Sequence, residues 1–232
     1  MISIIIPTFN EEENIAETIR EIKERDSEKL VIEIIVADGQ STDQTIEVAS
    51  KAGAIVLSCK KKGRAAQMNY GASAANEEIL YFLHADSIPP KNFSSSILNA
   101  IKNNSVSGCF RLSFDHQHWF LKANCWFTKF DVNAVRFGDQ SLFVQKNVFE
   151  KSGGFREDLL MMEDQEIIHR IKRFGKFTVM NAEIKTSARK YLDNGIYRMQ
   201  AIFFRIWFLY YLGYPQEKLL KLHRRLIREH KL

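Results

Sequence analysis

The sequence predicts an α/β fold in which a mostly parallel, doubly wound sheet carries helices on both faces, followed by a C-terminal helical extension. Over residues 1–100, four short β-rich apolar runs alternate with helix-length segments, which is typical of parallel strands buried under helices. After residue 195 the chain becomes strongly apolar and then basic. With 45% hydrophobic residues among 232, it holds enough apolar material for a complete core.

Apolar spacing defines the individual elements. The first strand, residues 2–6, is expected to end at Pro7, and a Ser41 or Thr42 N-cap is expected to open the second helix. Further strands are predicted at 31–37, 54–58 and 79–83, and helices at 11–24, 42–52 and 63–75. Later in the chain we expect helices at 93–102 and 163–174, strands at 108–114, 141–145 and 177–180, and an apolar aromatic segment at 119–130.

We expect residues 1–190 to form one domain and residues 191–232 to form a helical, basic amphipathic extension. The net charge of +5 is concentrated in this extension, so it indicates no nucleic-acid partner for the domain. The N-terminus lacks the basic start of a signal peptide. Cys59, Cys109 and Cys125 are odd in number and lack metal-ligand spacing, so we expect reduced thiols in a cytoplasmic protein.

Polar groups follow each of the first four predicted strands. Ligands of an open parallel sheet bind outside the carboxyl ends of its strands, so these positions are the informative ones. They comprise residues 7–11 (PTFNE), 38–43 (DGQSTD), 60–64 (KKKGR) and 84–87 (HADS). The convergence of four such segments on one edge predicts a ligand site there.

Asp38 follows a buried strand directly and has two interpretations. It could organise a turn or cap a helix, or it could accept a hydrogen bond from a ring N–H of uracil, thymine or guanine. Asp43 is a candidate cap for the following helix.

The basic loop and the acid after the fourth strand also have two interpretations each. Residues 60–64 could be a solvated charge run or, at a helix N-terminus, an anion site suited to diphosphate. Asp86 needs a partner, and a hard divalent cation that also bridges phosphates is one. His84 could assist that cation or simply pack.

A third acidic cluster begins the helix predicted at residue 163. Glu163 and Asp164 could complement the helix dipole, or a partly desolvated carboxylate here could act as a general base. Met161 and Met162 would shield the acids on one side.

Taken together, these segments resemble the family 2 glycosyltransferases, which have the Rossmann-like GT-A fold. The matching pieces, in the order and spacing of that family, are SIIIPTFNEEENI, VADGQSTDQT, KGRAAQMNYG, YFLHADS, GGF and MEDQE, and they cover about residues 1–190. The chain also resembles a bacterial subgroup with FLHAD, FGDQ, MED and TSAR segments, some members of which are associated with arsenosugar biosynthesis.

The resemblance implies roles for individual residues. Asp164 would be the catalytic base, with Glu163 beside it, and Asp86 would hold Mg²⁺ or Mn²⁺ although His84 replaces the first acid of the metal motif. The residues implied for the nucleotide are Pro7, Thr8, Glu11, Asp38, Gly39 and Arg64, and those implied for the acceptor or diphosphate are His84, Gly138, Asp139, Gln140 and Arg189. The reaction would be inverting transfer of a sugar from a nucleoside diphosphate, with UDP-sugars favoured, to an acceptor hydroxyl.

Residues 196–214 are too few to span a membrane and include Arg205. They could pack on the core or form a homodimer contact. Alternatively, with the basic segment 217–232, they could bind anionic lipid at the inner face of a membrane, which would suit a lipid-linked acceptor.

Two other functions share parts of this pattern. A sugar-1-phosphate nucleotidyltransferase would carry a Gly-rich, Arg-containing loop after the first strand, where PTFNEEE stands instead. A sugar-nucleotide-binding protein without turnover would not need the base at Asp164. A dinucleotide oxidoreductase is excluded because GxGxxG is absent after the first strand.

Overall fold

The computed structural model describes residues 1–133, 136 and 138–227. Within these residues an eight-stranded sheet has the order β3-β2-β1-β4-β7-β6-β8-β5. Its strands are β1 (Ile2–Thr8), β2 (Val31–Asp38), β3 (Ile55–Ser58), β4 (Ile79–Phe82), β5 (Ser87–Ile88), β6 (Ser105–Phe114), β7 (Leu142–Gln145) and β8 (Lys176–Thr186). β1, β2, β3 and β4 are mutually parallel, as are β6 and β8, whereas β7 runs antiparallel between β4 and β6, and β5 runs antiparallel to β8.

The helices cover both faces of this sheet. They are α1 (Ile15–Arg25), α2 (Thr45–Lys51), α3 (Arg64–Ala74), α4 (Phe93–Lys102), α5 (Trp119–Phe127), α6 (Lys146–Lys151), α7 (Glu163–Ile171), α8 (Arg189–Asn194), α9 (Ile196–Tyr211) and α10 (Gln216–Leu226). Short 3₁₀ helices lie at Gly138–Gln140 and Lys172–Phe174.

Alternation along β1 shows how the sheet is buried. Ile4 and Ile6 pack with side chains of α1, α2 and α4 in one core cluster. Ile5, between them, packs with α3, α6 and α7 in a second cluster on the opposite face. The predicted doubly wound, mostly parallel α/β architecture is confirmed.

Several predicted boundaries were wrong. β1 continues through Pro7 to Thr8, because β4 pairs with β1 only as far as Ile5 and a proline is tolerated where a strand is paired on one side. α2 starts at Thr45, later than the Ser41 or Thr42 cap implied, and Asp43 Oδ1 accepts from the Thr45 N–H at 3.0 Å. β8 ends at Thr186, six residues past the predicted strand end at residue 180. The aromatic segment 119–130 contains the helix α5.

The C-terminal helices form a small core of their own. Met199, Ile202 and Ile206 of α9 pack with Leu219 of α10 and with Ile227. The helix predicted for residues 217–232 is present as far as Leu226, and residues 228–232 lie outside the described part. Among the helices that the structure describes, none has the length and apolar character needed to cross a bilayer.

Candidate active site

A cleft of about 470 Å³ lies at the carboxyl edge of the sheet. The ends of β1, β2 and β4 form its floor, the starts of α3 and α7 form one side, and α8, α9 and α10 contribute to the other. The predicted site residues that line it are Pro7, Thr8, Glu11, Gly39, Arg64, His84, Asp86, Asp139, Glu163 and Arg189. Residues of all four segments that follow the first four predicted strands therefore meet here, as the sequence predicts.

Asp38 lies beneath the cleft rather than on its wall. It is fully buried, and its carboxylate accepts hydrogen bonds from Thr8 Oγ1 at 3.2 Å, from Ser41 Oγ at 2.5 Å and from the Ser41 N–H at 2.9 Å. These contacts fix the loop after β2 against the end of β1. In this structure Asp38 has the contacts of a turn-organising residue.

At Gly39 the floor of the cleft has no room for a side chain. A Cβ atom at Gly39 would stand 2.8 Å from Gln67 Nε2, closer than van der Waals contact allows. Gln67 cannot easily withdraw, because its Nε2 donates to the carbonyls of Thr8 at 2.6 Å and Ala37 at 2.8 Å. Gln67 therefore ties the ends of β1 and β2 to α3.

The most polar feature of the cleft is a charge cluster around Arg64, the first residue of α3. Arg64 Nε donates to Glu163 Oε1 at 2.5 Å, and Nη2 donates to Asp164 Oδ2 at 3.2 Å. Although burial acts against its charge, the two carboxylates raise the pKa of Arg64 above its ordinary value. One guanidinium thus joins the predicted anion site to both predicted catalytic acids.

The two acids of this cluster differ in surroundings. Glu163 is 1% exposed, and its Oε2 is buried with no hydrogen-bond partner in the part of the chain that the structure describes. Asp164 has a side chain that is 15% exposed and does not line the cleft directly. Burial, followed by the neighbouring charge of Glu163, raises the pKa of Asp164 to about 6 against the opposing effect of Arg64. A carboxyl group with a pKa near 6 is mostly ionised at neutral pH and can accept a proton from a reacting group.

His84 and Asp139 form a second pair of ionisable groups in the cleft. His84 Nδ1 lies 3.2 Å from Asp139 Oδ1. Burial works against charge in both groups, but their contact raises the pKa of His84 and lowers that of Asp139 to about 2. His84 is therefore more than a packing residue, since its partner favours the protonated imidazolium.

Asp86 faces the cleft, where it is partly exposed. Within the residues described, no cluster of three or more His, Cys, Asp or Glu side chains could hold a metal ion alone. One carboxylate is nevertheless a sufficient protein ligand for a cation that keeps water and takes substrate phosphate oxygens. The donor set fits Mg²⁺ or Mn²⁺ bound together with a diphosphate.

The sequence model of the family described as Glycosyl transferase family 2 matches residues 3–156, more than half of the chain. The chain belongs to glycosyl transferase family 2. Its fold is that of the GT-A glycosyltransferase structures it resembles.

Three similar proteins illustrate the range of this likeness. Dolichol-phosphate mannosyltransferase of Pyrococcus furiosus is 31% identical over 109 residues, which are 45% of this chain and 31% of that protein. The crystal structure of a TarS fragment from S. aureus in complex with UDP has a TM-score of 0.69 at 18% identity, covering 87% of this chain and 64% of the other. Mannosyltransferase PcManGT from Pyrobaculum calidifontis, in complex with GDP-Man and Mn²⁺, has a TM-score of 0.67 at 19% identity, covering 87% and 61%. The chain spans less than two thirds of the length of each.

The remaining predicted residues lie around the cleft in different ways. Arg189 starts α8 and its Nη1 lies 3.6 Å from Glu13 Oε2. Gly138 begins the 3₁₀ helix that presents Asp139. Gln140, at the end of that helix, is 1% exposed and donates to the Phe110 carbonyl at 3.3 Å, so it supports the strand β6 instead of lining the cleft.

The family motifs did not indicate how the C-terminal helices contribute to the site. Tyr191 of α8, Phe203 of α9, and Leu220 and Arg224 of α10 all line the cleft. Gln216 of α10 also accepts hydrogen bonds from the backbone N–H groups of two residues just before α7, both at 3.1 Å. The extension thus lines the cleft and also contacts the segment that leads into the acidic cluster.

Proposed function

We propose that this protein transfers a sugar from a nucleoside diphosphate to an acceptor hydroxyl with inversion at the anomeric carbon, and that UDP-sugars are the favoured donors. The observation that carries the proposal is the contact of Arg64 with both Glu163 and Asp164. Arg64, Glu163 and Asp86 line the cleft, and Asp164 is joined to it through Arg64. One guanidinium would thereby connect the anion site to the proposed base, in the same cleft as the residue that would hold the metal. The UDP bound to the TarS fragment supports the choice of donor base.

The nucleoside end of the donor would lie over the ends of β1 and β2. Pro7, Thr8 and Glu11 line the cleft there, and Gly39 supplies a backbone surface with no side chain. Asp38 would either keep its turn contacts or turn one oxygen towards a ring N–H of the base. Its burial supports a role in shaping this pocket in both cases.

The diphosphate would then reach Arg64 and compete with the acids for it. A diphosphate carries more charge than either carboxylate and also meets the free backbone N–H groups at the start of α3. Movement of the guanidinium to the phosphates would leave Asp164 with less opposing positive charge. Donor binding would therefore make Asp164 a stronger base before the acceptor is attacked.

Asp86 is the residue that would hold the divalent cation, with donor phosphate oxygens and water completing its shell. A bound Mg²⁺ or Mn²⁺ would stabilise the negative charge of the departing diphosphate. The Mn²⁺ in the PcManGT complex supports this cofactor class. His84, two residues before Asp86, would remain paired with Asp139.

In the transfer step Asp164 would accept the proton of the acceptor hydroxyl. The acceptor oxygen forms a bond to the anomeric carbon while the bond from that carbon to the diphosphate oxygen breaks. Attack from the face opposite the leaving group inverts the configuration. Positioned proton transfer of this kind contributes about 10²–10⁴-fold in rate.

The acceptor and its surroundings remain predictions. Asp139 and Arg189 are charged groups that line the cleft, which supports an acceptor or diphosphate role for them. Four further points also stay predictions: a lipid-linked acceptor, a place at the inner face of a membrane, the subgroup associated with arsenosugars, and a domain boundary at residue 190.

The raised pKa of Asp164 predicts an acid limb in the activity profile. Only the ionised carboxylate can take the hydroxyl proton, so kcat/KM for the donor should fall about tenfold per pH unit below about pH 6 and level off above it. Initial rates between pH 5 and 8 would measure this. The His84→Gln variant should keep the limb; its loss in that variant would assign the titration to His84 instead.

Calorimetric titration with UDP, GDP and dTDP, each with and without Mn²⁺, tests the proposed donor site. We expect one nucleotide, UDP, to bind much more tightly when Mn²⁺ is present, because the cation links the diphosphate to Asp86. Failure of all three nucleotides to bind folded protein would contradict the proposal. Binding without any transfer or donor hydrolysis would favour a binding protein without turnover.

A further inference from the structure

Helices α5 and α9 expose a broad aromatic surface on the outside of the molecule. Its rings are 43–66% exposed, whereas most large apolar side chains of the domain are buried. We define this aromatic face by Trp119, Trp126, Phe127 and Phe130 in and just after α5, and by Tyr197, Phe204, Phe208 and Tyr211 of α9. A contiguous apolar patch of this kind on a folded protein marks an interaction site.

Contacts between the two helices make the face continuous. The Phe120 ring lies 4.9 Å from the Tyr197 ring, centroid to centroid, and Asn124 Nδ2 donates to Gln200 Oε1 at 3.2 Å. The exposed rings of α9, at 197, 204, 208 and 211, recur at intervals of seven, four and three residues, which places them on one side of that helix, and Trp119 and Trp126 of α5 are likewise seven residues apart. The helices therefore lie side by side with their rings facing outwards together.

The two helices of this face carry cations and no acids, and the acids beside it belong to other segments: Asp131 follows Phe130, and Glu183 of β8 lines a pocket with Trp126 and Lys129. Neither α5 (WFLKANCWF) nor α9 (IYRMQAIFFRIWFLYY) contains an Asp or Glu residue. Lys122 and Arg205 are exposed among the rings, and Lys129 Nζ lies 3.6 Å from the centre of the Trp126 ring. Aromatic rings interleaved with cations are suited to an apolar surface bordered by negative charge.

We propose that the aromatic face binds the interfacial region of a bilayer that contains anionic lipid. Trp, Tyr and Phe rings partition to the level of the lipid headgroups, and Lys and Arg beside them attract anionic headgroups. α9 does not meet the length and apolarity needed to span a bilayer, so it would lie in the plane of the surface. A symmetric second copy is a poorer occupant, because it would bring Lys129 and Arg205 of both copies together with no acid from these helices opposite them.

Binding through the aromatic face would hold the cleft close to the membrane. Phe203, next to Phe204 of the aromatic face, points to the other side of α9 and lines the cleft, 5.9 Å from the Tyr191 ring. An acceptor embedded in the same lipid surface would have to pass only α9 to reach the cleft. Lipid binding itself requires no sugar transfer, so the two proposals can fail independently.

Co-sedimentation with vesicles tests the proposal. Wild-type protein is expected to pellet with vesicles of equal parts phosphatidylcholine and phosphatidylglycerol, and to stay largely in the supernatant with phosphatidylcholine alone. The Phe204→Ser/Phe208→Ser double variant should bind about tenfold more weakly. The Lys129→Gln/Arg205→Gln double variant should lose about tenfold or more, and high salt should weaken wild-type binding similarly.

Tyr70→Ser on α3 is the matched control, because Tyr70 is also a 43% exposed helical aromatic but lies outside the face. It should bind vesicles like wild type, and all variants should keep wild-type thermal melting and UDP binding. Three outcomes would overturn the proposal: wild-type protein that binds neither vesicle, equal losses in the Tyr70→Ser control, or a wild-type dimer in light scattering that the Phe204→Ser/Phe208→Ser variant dissociates. The last outcome would assign the face to a second copy of the chain.

Discussion

The Asp164→Asn variant is expected to lose sugar transfer by about 10²–10⁴-fold while it still binds the donor nucleotide. Asparagine has the shape of aspartate, and its amide oxygen can keep the contact with Arg64 Nη2. What it cannot do is accept the proton of the acceptor hydroxyl. The effect should therefore appear in kcat, with little change in the nucleotide Kd measured by calorimetry.

Asp158→Asn provides the control for this experiment. Asp158 has a 63% exposed side chain that pairs with Arg156 just before α7, so its replacement should leave both kcat and nucleotide binding unchanged. Full activity of Asp164→Asn would contradict the proposed mechanism. If Glu163→Gln instead lost turnover with donor binding intact, the proton acceptor would be Glu163.

The geometry explains why Asp164 is the better candidate of the two acids. Glu163 Oε1 accepts a short charged hydrogen bond from Arg64 Nε at 2.5 Å. Glu163 is also only 1% exposed, so its carboxylate is held firmly in place. The contact from Arg64 to Asp164 is longer, at 3.2 Å. Release of Arg64 to a diphosphate would therefore free Asp164 more readily than Glu163.

The first half of the fold could be predicted because its elements are defined by local signals. The β1 and β2 segments are predominantly apolar, as expected of strands covered on both faces, and α1 shows isoleucines at helical spacing. β8 was predicted too short, because only Phe177 and then Ile184 and Thr186 are buried along it. A strand with one partly exposed face and an irregular register gives a weak apolar pattern.

The sequence indicated which strand ends meet at one edge of the sheet, but not how the side chains there pair. Strand ends indicated that Arg64 and Asp86 face a common edge, yet the bond from Arg64 to Glu163 joins residues 99 positions apart. The contact of His84 with Asp139 likewise depends on how β7 is inserted between β4 and β6. Such contacts follow from tertiary packing, which no local pattern in a single sequence encodes.

Asp86→Ala is expected to abolish the Mn²⁺-dependent part of nucleotide binding, a loss on the order of 10²-fold in affinity. Without Asp86 the cation would be held only by phosphate oxygens and water, because no described cluster of three or more His, Cys, Asp or Glu side chains could hold it instead. The metal-free affinity should change little, since Arg64 and the start of α3 would still meet the diphosphate. Calorimetric titration of UDP at increasing Mn²⁺ concentrations would separate the two contributions.

The design of this experiment distinguishes a metal ligand from a general electrostatic effect. Asp193→Ala removes an exposed carboxylate from α8 and should keep the full response to Mn²⁺. A general field effect would make Asp86→Ala bind the anionic nucleotide more tightly without metal, because a negative charge has left the cleft. A metal ligand would show the opposite, with weaker binding only when Mn²⁺ is present. Retention of the full Mn²⁺ response in Asp86→Ala would therefore exclude Asp86 as the ligand and direct attention to His84 and Asp139.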